Sequence, residues 1–174
     1  MSTAAFNPQR RRLLAMGGGL LLTAAVIRRA GAAEAVEIQM SGTPSGSQVW
    51  FRPHGLLIQP GQTVRWVNSD TGNAHTTTAY HPKNHKPLRI PDGATPWDSG
   101  YLLPGQSFEV VLSVPGVYDY FCLPHEMAGM VGRIVVGTAD AAHKPYAATD
   151  AQLPAVALAQ FPDVAAILKS KRID

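Results

Sequence analysis

The sequence predicts an all-β fold, a Greek-key β-sandwich or barrel, with an N-terminal signal peptide and a short helical C-terminal tail. Three observations predict it. Glycine (16) and proline (14) are frequent among the 174 residues, and the apolar runs between them are short, which disfavours a helical bundle. Those runs recur as seven or eight strand-like segments separated by Pro-Gly and other turn formers. Within several of them apolar and polar residues alternate, the period of a half-buried strand.

Taken in order, residues 35–40 and 48–51 alternate or run apolar, and 56–59 forms a third strand. Pro60-Gly61-Gln62 is a turn, after which 63–68 (TVRWVN) alternates again. Residues 69–73 make a polar loop rich in turn formers, and 75–80 (HTTTAY) draws strand propensity from three threonines. Residues 81–100 form a long connection with four prolines, Pro82, Pro87, Pro91 and Pro96, and a connection of that length is often functional. Pro104-Gly105 turns into a strand over 107–114, and Pro115-Gly116 into one over 117–122 (VYDYFC). A short loop, 123–129, leads to the last strand, 130–136. Beyond Thr138 the composition shifts to alanine. Short helices are expected over 150–160 and 163–170, with Asp163 as an N-cap.

The N-terminus reads as a targeting segment. A basic start (Arg10-Arg11-Arg12) precedes an apolar stretch from Ala15 to Ile27, and small residues follow at Ala30-Gly31-Ala32. The apolar stretch is shorter than the roughly 20 residues that span a bilayer. The arginines followed by Leu13-Leu14 resemble a twin-arginine signal, a route that exports folded proteins. Cleavage after Ala32 is expected; Arg28-Arg29 leaves an uncleaved membrane anchor as the alternative. The chain therefore divides into a signal peptide (1–32), a β-sandwich domain (33–137) and a partly helical C-terminal extension (138–174), and the mature protein is expected in the periplasm.

This division changes the reading of charge. The formal net charge is +3, but residues 1–32 hold five arginines and no acid. Without them ten basic residues face twelve acidic ones and the net charge is −2. No nucleic-acid partner is implied.

The one cysteine, Cys122, excludes an internal disulfide and calls for another explanation. Cys122, His125 and Met130 lie within nine residues, in the string Cys-Leu-Pro-His-Glu-Met-Ala-Gly-Met. A strand ends at the cysteine and a tight loop leads to the next strand, so one loop can present a thiolate, an imidazole and a thioether to one point. Pro124 stiffens that loop and Gly129 lets it turn. Thiolate, thioether and imidazole together favour copper, and two histidines with one cysteine and a weak axial methionine describe a blue-copper site. The second histidine must come from elsewhere. His75 stands at a strand start after a polar loop, 47 residues before Cys122. Met127 competes with Met130 for the axial place, but it is only two residues beyond His125.

With these strings the chain resembles the plastocyanin/pseudoazurin/halocyanin branch of the cupredoxins, from about Val36 to Gly137. The resemblance rests on Ala74-His75-Thr76, the aromatic strand into Cys122, the Cys-x2-His-x4-Met spacing, the Val131–Gly137 ending, and the segment from Pro96-Trp97-Asp98 to Ser107-Phe108. It implies the cupredoxin fold, with one copper ion held at one end of the sandwich. His75 is then the buried upstream ligand, Cys122 the equatorial thiolate, His125 the ligand at the solvent edge and Met130 the axial ligand. Many relatives carry asparagine after the first histidine, bracing the cysteine loop; Thr76 stands there in this chain, and its hydroxyl can make a similar bond.

The implied function is one-electron transfer between transiently bound redox proteins, a cytochrome or a copper or haem oxidoreductase. Copper trafficking or storage with the same site is the alternative. An enzyme is not expected: no His-x-His pair of the multicopper-oxidase kind occurs, and one cysteine cannot build a binuclear copper site. His54, His81, His85 and His143 read as ordinary exposed polar residues, and Glu126 as solvent-exposed. Trp50, Trp66 and Trp97 read as core. His81, His85, Lys83, Lys86 and Arg89 form a basic run that is either solvated or a steering surface for an acidic partner.

Overall fold

A computed structural model describes residues 34–138, 146 and 151–174. The expected signal peptide lies outside the described residues. Nine strands and two short helices are present among them: β1 Val36–Gly42, β2 Val49–Arg52, β3 Gly55–Ile58, β4 Gln62–Asn68, β5 Thr78–Ala79, β6 Ser107–Leu112, β7 Gly116–Phe121, β8 Val131–Val136, α1 Ala155–Gln160, α2 Val164–Ser170 and β9 Arg172–Ile173. One sheet has the order β2-β1-β4-β6 and the other β5-β7-β8-β3-β9. The β1–β4 and β3–β8 pairs are parallel and the rest antiparallel. Among the described residues no helix is long and apolar enough to cross a membrane.

Alternation builds the sandwich. Ile38 and Met40 of β1 and Val64 and Trp66 of β4 point inward and are fully buried, while Glu37, Gln39 and Arg65 between them are exposed. The facing sheet contributes Tyr118, Tyr120, Ile134 and Val136 to the same core. Trp66, Trp97 and Tyr120 pack ring against ring within it, Trp66 lying 5.4 Å edge-on from Tyr120. Trp50 differs from the expected core position: it is only half-buried on the edge strand β2.

The second sheet does not expose its outer face. Every residue of β7 and β8 is buried, because the C-terminal extension and the 81–100 connection cover it. Val117 and Val135 pack on Val164 and Ile167 of α2. Phe121 and Val131 pack with Tyr80 on Leu153 and Ala157. Between these clusters the outward-facing Asp119 is fully buried with two guanidinium partners. Arg89 Nε donates to it at 2.9 Å, and Arg133 donates through Nε and Nη2 at 2.7 and 2.9 Å. Arg133 Nη1 donates to Pro162 O, and both arginines lie over the Phe161 ring. Removing one partner from such a buried cluster costs about 3–5 kcal/mol. The extension is thus integral to the sandwich. Its last residues pair with β3 as β9, a strand the composition of the tail did not announce.

The 81–100 connection returns to flank β5. Asn84 Nδ2 donates to Ala79 O and Trp97 O, Ser99 N donates to Thr77 O, and His75 exchanges two backbone bonds with Leu102. The strand expected over 75–80 is therefore short, Thr78–Ala79, with isolated bridges His75–Leu102 and Thr78–Asp98 beside it.

Candidate metal centre

Three chain segments meet at one end of the sandwich. His75 follows the polar loop after β4, Cys122 follows β7, and His125 sits in the 3-10 turn Leu123–Ala128 that leads to β8. The turn is made by local bonds: His125 N donates to Cys122 O, and Gly129 closes it with φ 83°, where a side chain would be strained. A Cβ on Gly129 would also lie 2.9 Å from Gln160 of α1. Met130 then locks the loop base, donating its N–H to His125 O and accepting from Cys122 N.

The result is a cluster whose His75, Cys122 and His125 ligand atoms all lie within 4.8 Å of one another. Nδ1 of His75 is 3.6 Å and Nδ1 of His125 3.4 Å from Cys122 Sγ. His75 and Cys122 are fully buried, and His125 is partly exposed. The expected fourth member, Met130, is buried in the same cluster of core side chains as Cys122. Met127, its competitor, is 75% exposed.

The electrostatics fit a cation. Burial pushes the metal-free Cys122 thiol up to about 11, against the pull of the Thr76 backbone N–H, which donates to Sγ at 3.3 Å. A soft cation held there would take the place of that proton, and the Thr76 N–H would remain available to the sulfur. Burial, and then the neighbouring His75, lower the pKa of His125, with Asp70 opposing. Two imidazoles and a buried thiol are the donor set that copper favours.

Outside the cluster, sequence reasoning found one support and missed three. Thr76 braces the loop as expected: its Oγ1 accepts from Leu123 N at 2.8 Å. It also bonds Thr78 Oγ1 at 3.0 Å, and Thr78 donates to Asp98. Since the Thr78 proton goes to Asp98, the Thr76 proton goes to Thr78, and the chain runs from loop amide to carboxylate. The extent of this chain was not legible, because Asp98 is 20 residues from Thr78.

Glu126 departs from expectation. It is buried, accepting from Tyr80 OH at 2.9 Å and from Lys86. Burial, and then the Glu126 charge, hold the Tyr80 hydroxyl well above the usual phenol range, so it remains a donor. Lys86 also lies over the Phe121 ring. The basic run is correspondingly depleted: Lys86 is paired with Glu126 and Arg89 with Asp119, leaving Lys83 and His85 exposed. His54, expected to be exposed, is half-buried.

The third residue missed is Asp70, which sat in what read as a turn. It is buried, 3.1 Å from His75 Nε2. Burial works against its charge. Hydrogen bonds from the Asn73 side chain, Gly72 N and His75 outweigh that and bring the carboxyl down to about 2. An acid five residues before a candidate ligand histidine was the available signal.

A two-sheet sandwich that gathers two imidazoles and a thiol at one end defines a mononuclear copper-binding class. Comparison with known proteins agrees. Residues 37–137 match the family model for copper binding proteins, plastocyanin/azurin family. The chain is similar to chloroplastic plastocyanin of Chlamydomonas reinhardtii, 35% identical over 105 residues, or 60% of this chain and 70% of that one. It is similar to pseudoazurin of Methylorubrum extorquens, 32% identical over 107 residues, 61% of this chain and 64% of that protein. Among solved structures, a pseudoazurin from Sinorhizobium meliloti superposes with a TM-score of 0.53 at 28% identity, covering 78% of this chain and 98% of that one. The chain spans about two thirds of the length of the first curated relatives it matches, 66% in one rice plastocyanin. The protein belongs to the plastocyanin/azurin family of copper-binding proteins. It is a cupredoxin, a group whose members are electron carriers.

Proposed function

We propose that the protein is an exported one-electron carrier whose single copper would be held by His75, Cys122 and His125, with Met130 as the fourth ligand. The observation that carries the reading is the convergence of three ligand atoms within 4.8 Å, two of them sealed and one at the surface.

Copper, when bound, supplies the one-electron Cu(II)/Cu(I) couple. The chain does the rest. His75 is fixed by two backbone bonds to Leu102, and Cys122 by its own to Met130. The Thr76 N–H to Sγ bond draws electron density from the thiolate. The buried aromatic core beneath excludes water. A cluster held this firmly has little freedom to rearrange when its charge changes.

His125 alone reaches the surface, between Leu123 at 51% and Met127 at 75% exposure. This apolar rim supports transient docking of a redox protein, a cytochrome or a copper or haem oxidoreductase, through a small interface. With Lys86 and Arg89 paired inward, the rim depends more on apolar contact than on charge steering. Export through a twin-arginine signal to the periplasm accords with a protein that folds around its metal. Association with the membrane follows only if the N-terminal segment is retained.

The test is the visible spectrum. Copper-loaded wild type should show the strong thiolate-to-copper absorption and a reversible one-electron couple, and Cys122→Ser should lose the colour. Colour retained in Cys122→Ser would refute the ligand set. Rapid exchange of Cu(I) to chelators without a reversible couple would favour trafficking instead.

A further inference from the structure

Behind the buried histidine stands a charge that the copper-carrier reading does not use. Asp70 is 6% and His75 0% exposed. Asp70 Oδ1 accepts from Gly72 N at 2.8 Å and from Asn73 N at 3.2 Å. Oδ2 accepts from Asn73 Nδ2 at 3.0 Å and meets His75 Nε2 at 3.1 Å. These four donors are two backbone amides, a side-chain amide and an imidazole.

The surroundings are built to hold this carboxylate. Asn68 Oδ1 accepts from Asp70 N at 2.9 Å, and its Nδ2 donates to Asn73 O and Leu102 O, tying the loop to the strand beside His75. Gly42 on β1 leaves the space: a Cβ there would lie 2.6 Å from Asp70 Oδ2.

We infer that Asp70 is a positioning residue, which fixes His75 with Nδ1 toward Cys122 and lowers the reduction potential of the bound copper by placing a buried negative charge behind the ring. The inference rests on the copper-carrier reading. An ionised carboxylate can only accept, so Nε2 carries the proton and Nδ1 the lone pair, the atom 3.6 Å from Cys122 Sγ. A carboxylate behind a ligating histidine also raises the basicity of the ligand nitrogen. Both effects favour the more highly charged Cu(II), because a buried charge is screened far less than a surface one.

Asp70→Asn removes the charge at nearly constant volume, and Glu37→Gln, an exposed residue of β1, removes the same charge elsewhere. Voltammetry on the copper-loaded proteins should show Asp70→Asn raised over wild type by the equivalent of a tenfold change in the Cu(II)/Cu(I) affinity ratio, about 59 mV for a one-electron couple. Glu37→Gln should not show a comparable shift. A potential unchanged or lowered in Asp70→Asn, or raised as much in Glu37→Gln, overturns the inference. If Asp70→Asn holds no copper, the nitrogen-15 spectrum of metal-free wild type decides: the Nε2–H tautomer of His75, with a slowly exchanging proton, is expected, and the Nδ1–H tautomer overturns it. Wild type that binds copper without the thiolate absorption would sink the carrier reading instead, and the tautomer would still test what Asp70 does.

Discussion

His75 and His125 bring the same atom type to the same sulfur, at 3.6 and 3.4 Å, yet they are held by different physics. His75 is sealed in the sandwich. Its backbone pairs with Leu102 and its far nitrogen meets Asp70. His125 rides on a six-residue turn held through Leu123 N on Thr76 Oγ1, Met130 at its base, Glu126 on Tyr80 and Lys86, and α1 behind Gly129. The difference separates two tasks that conflict in one residue. A redox site needs a ligand frame that stays fixed, and it needs an edge that a partner can approach. Here the sheet side supplies the first and the loop side the second.

The largest effect that would break this comparison is ligand deletion with rescue. His75→Gly and His125→Gly should both lose the copper–thiolate absorption. Added imidazole should restore it in His125→Gly, where the hole opens to solvent, and not in His75→Gly, where the ring was fully buried. An absorbance titration reads the outcome, and equal rescue of the two variants would erase the distinction drawn between them. A smaller effect is expected at the seam joining the two sides. Thr76→Val keeps the shape but takes the acceptor from Leu123 N. The metal-free protein should lose about 1–3 kcal/mol in a denaturant titration, since the hydroxyl makes two hydrogen bonds and Leu123 N is left without its acceptor, while Thr76→Ser should stay near wild type. A Thr76→Val protein as stable as wild type would show that the loop does not depend on this brace.

The two sides also differed in how legible they were. The loop side was readable because its donors are close in sequence: Cys122, His125 and Met130 share one turn, and a spacing alone states which atoms can meet. The strands were readable where one face is solvated, as in β1 and β4, since alternation then marks the core. It failed on β7, where Asp119 looks like a solvent-facing residue of an alternating strand but is buried under the extension with Arg89 and Arg133. Nothing local distinguishes a polar residue facing water from one facing an arginine 30 positions earlier. Asp98 and Glu126 escaped for the same reason: each is an acid in a turn or loop, and its partner is set by tertiary packing. Asp70 differs, since its partners Gly72, Asn73 and His75 all lie within five residues. The tail's helices were visible from composition and from the Asp163 cap, which accepts from Ala166 N at 3.0 Å. Its pairing as β9 was not, because two residues carry no periodicity.

The smallest effect concerns a histidine outside the cluster and sharpens the comparison by isolating burial alone. Burial lowers the pKa of His54, with the Arg52 charge acting the same way and Asp174 against it. An imidazole whose folded pKa lies below its unfolded value of 6.5 contributes stability that is present above that value. The contribution is lost as pH falls through the folded pKa, because the unfolded chain then takes up the proton more readily. Metal-free wild type should therefore lose stability between about pH 7 and pH 5, and His54→Gln should flatten part of that slope by less than the Thr76→Val loss. Chemical denaturation of the two proteins across that range measures it. Identical slopes would mean that half-burial at the β2–β3 turn leaves the ring as well solvated as in the unfolded chain.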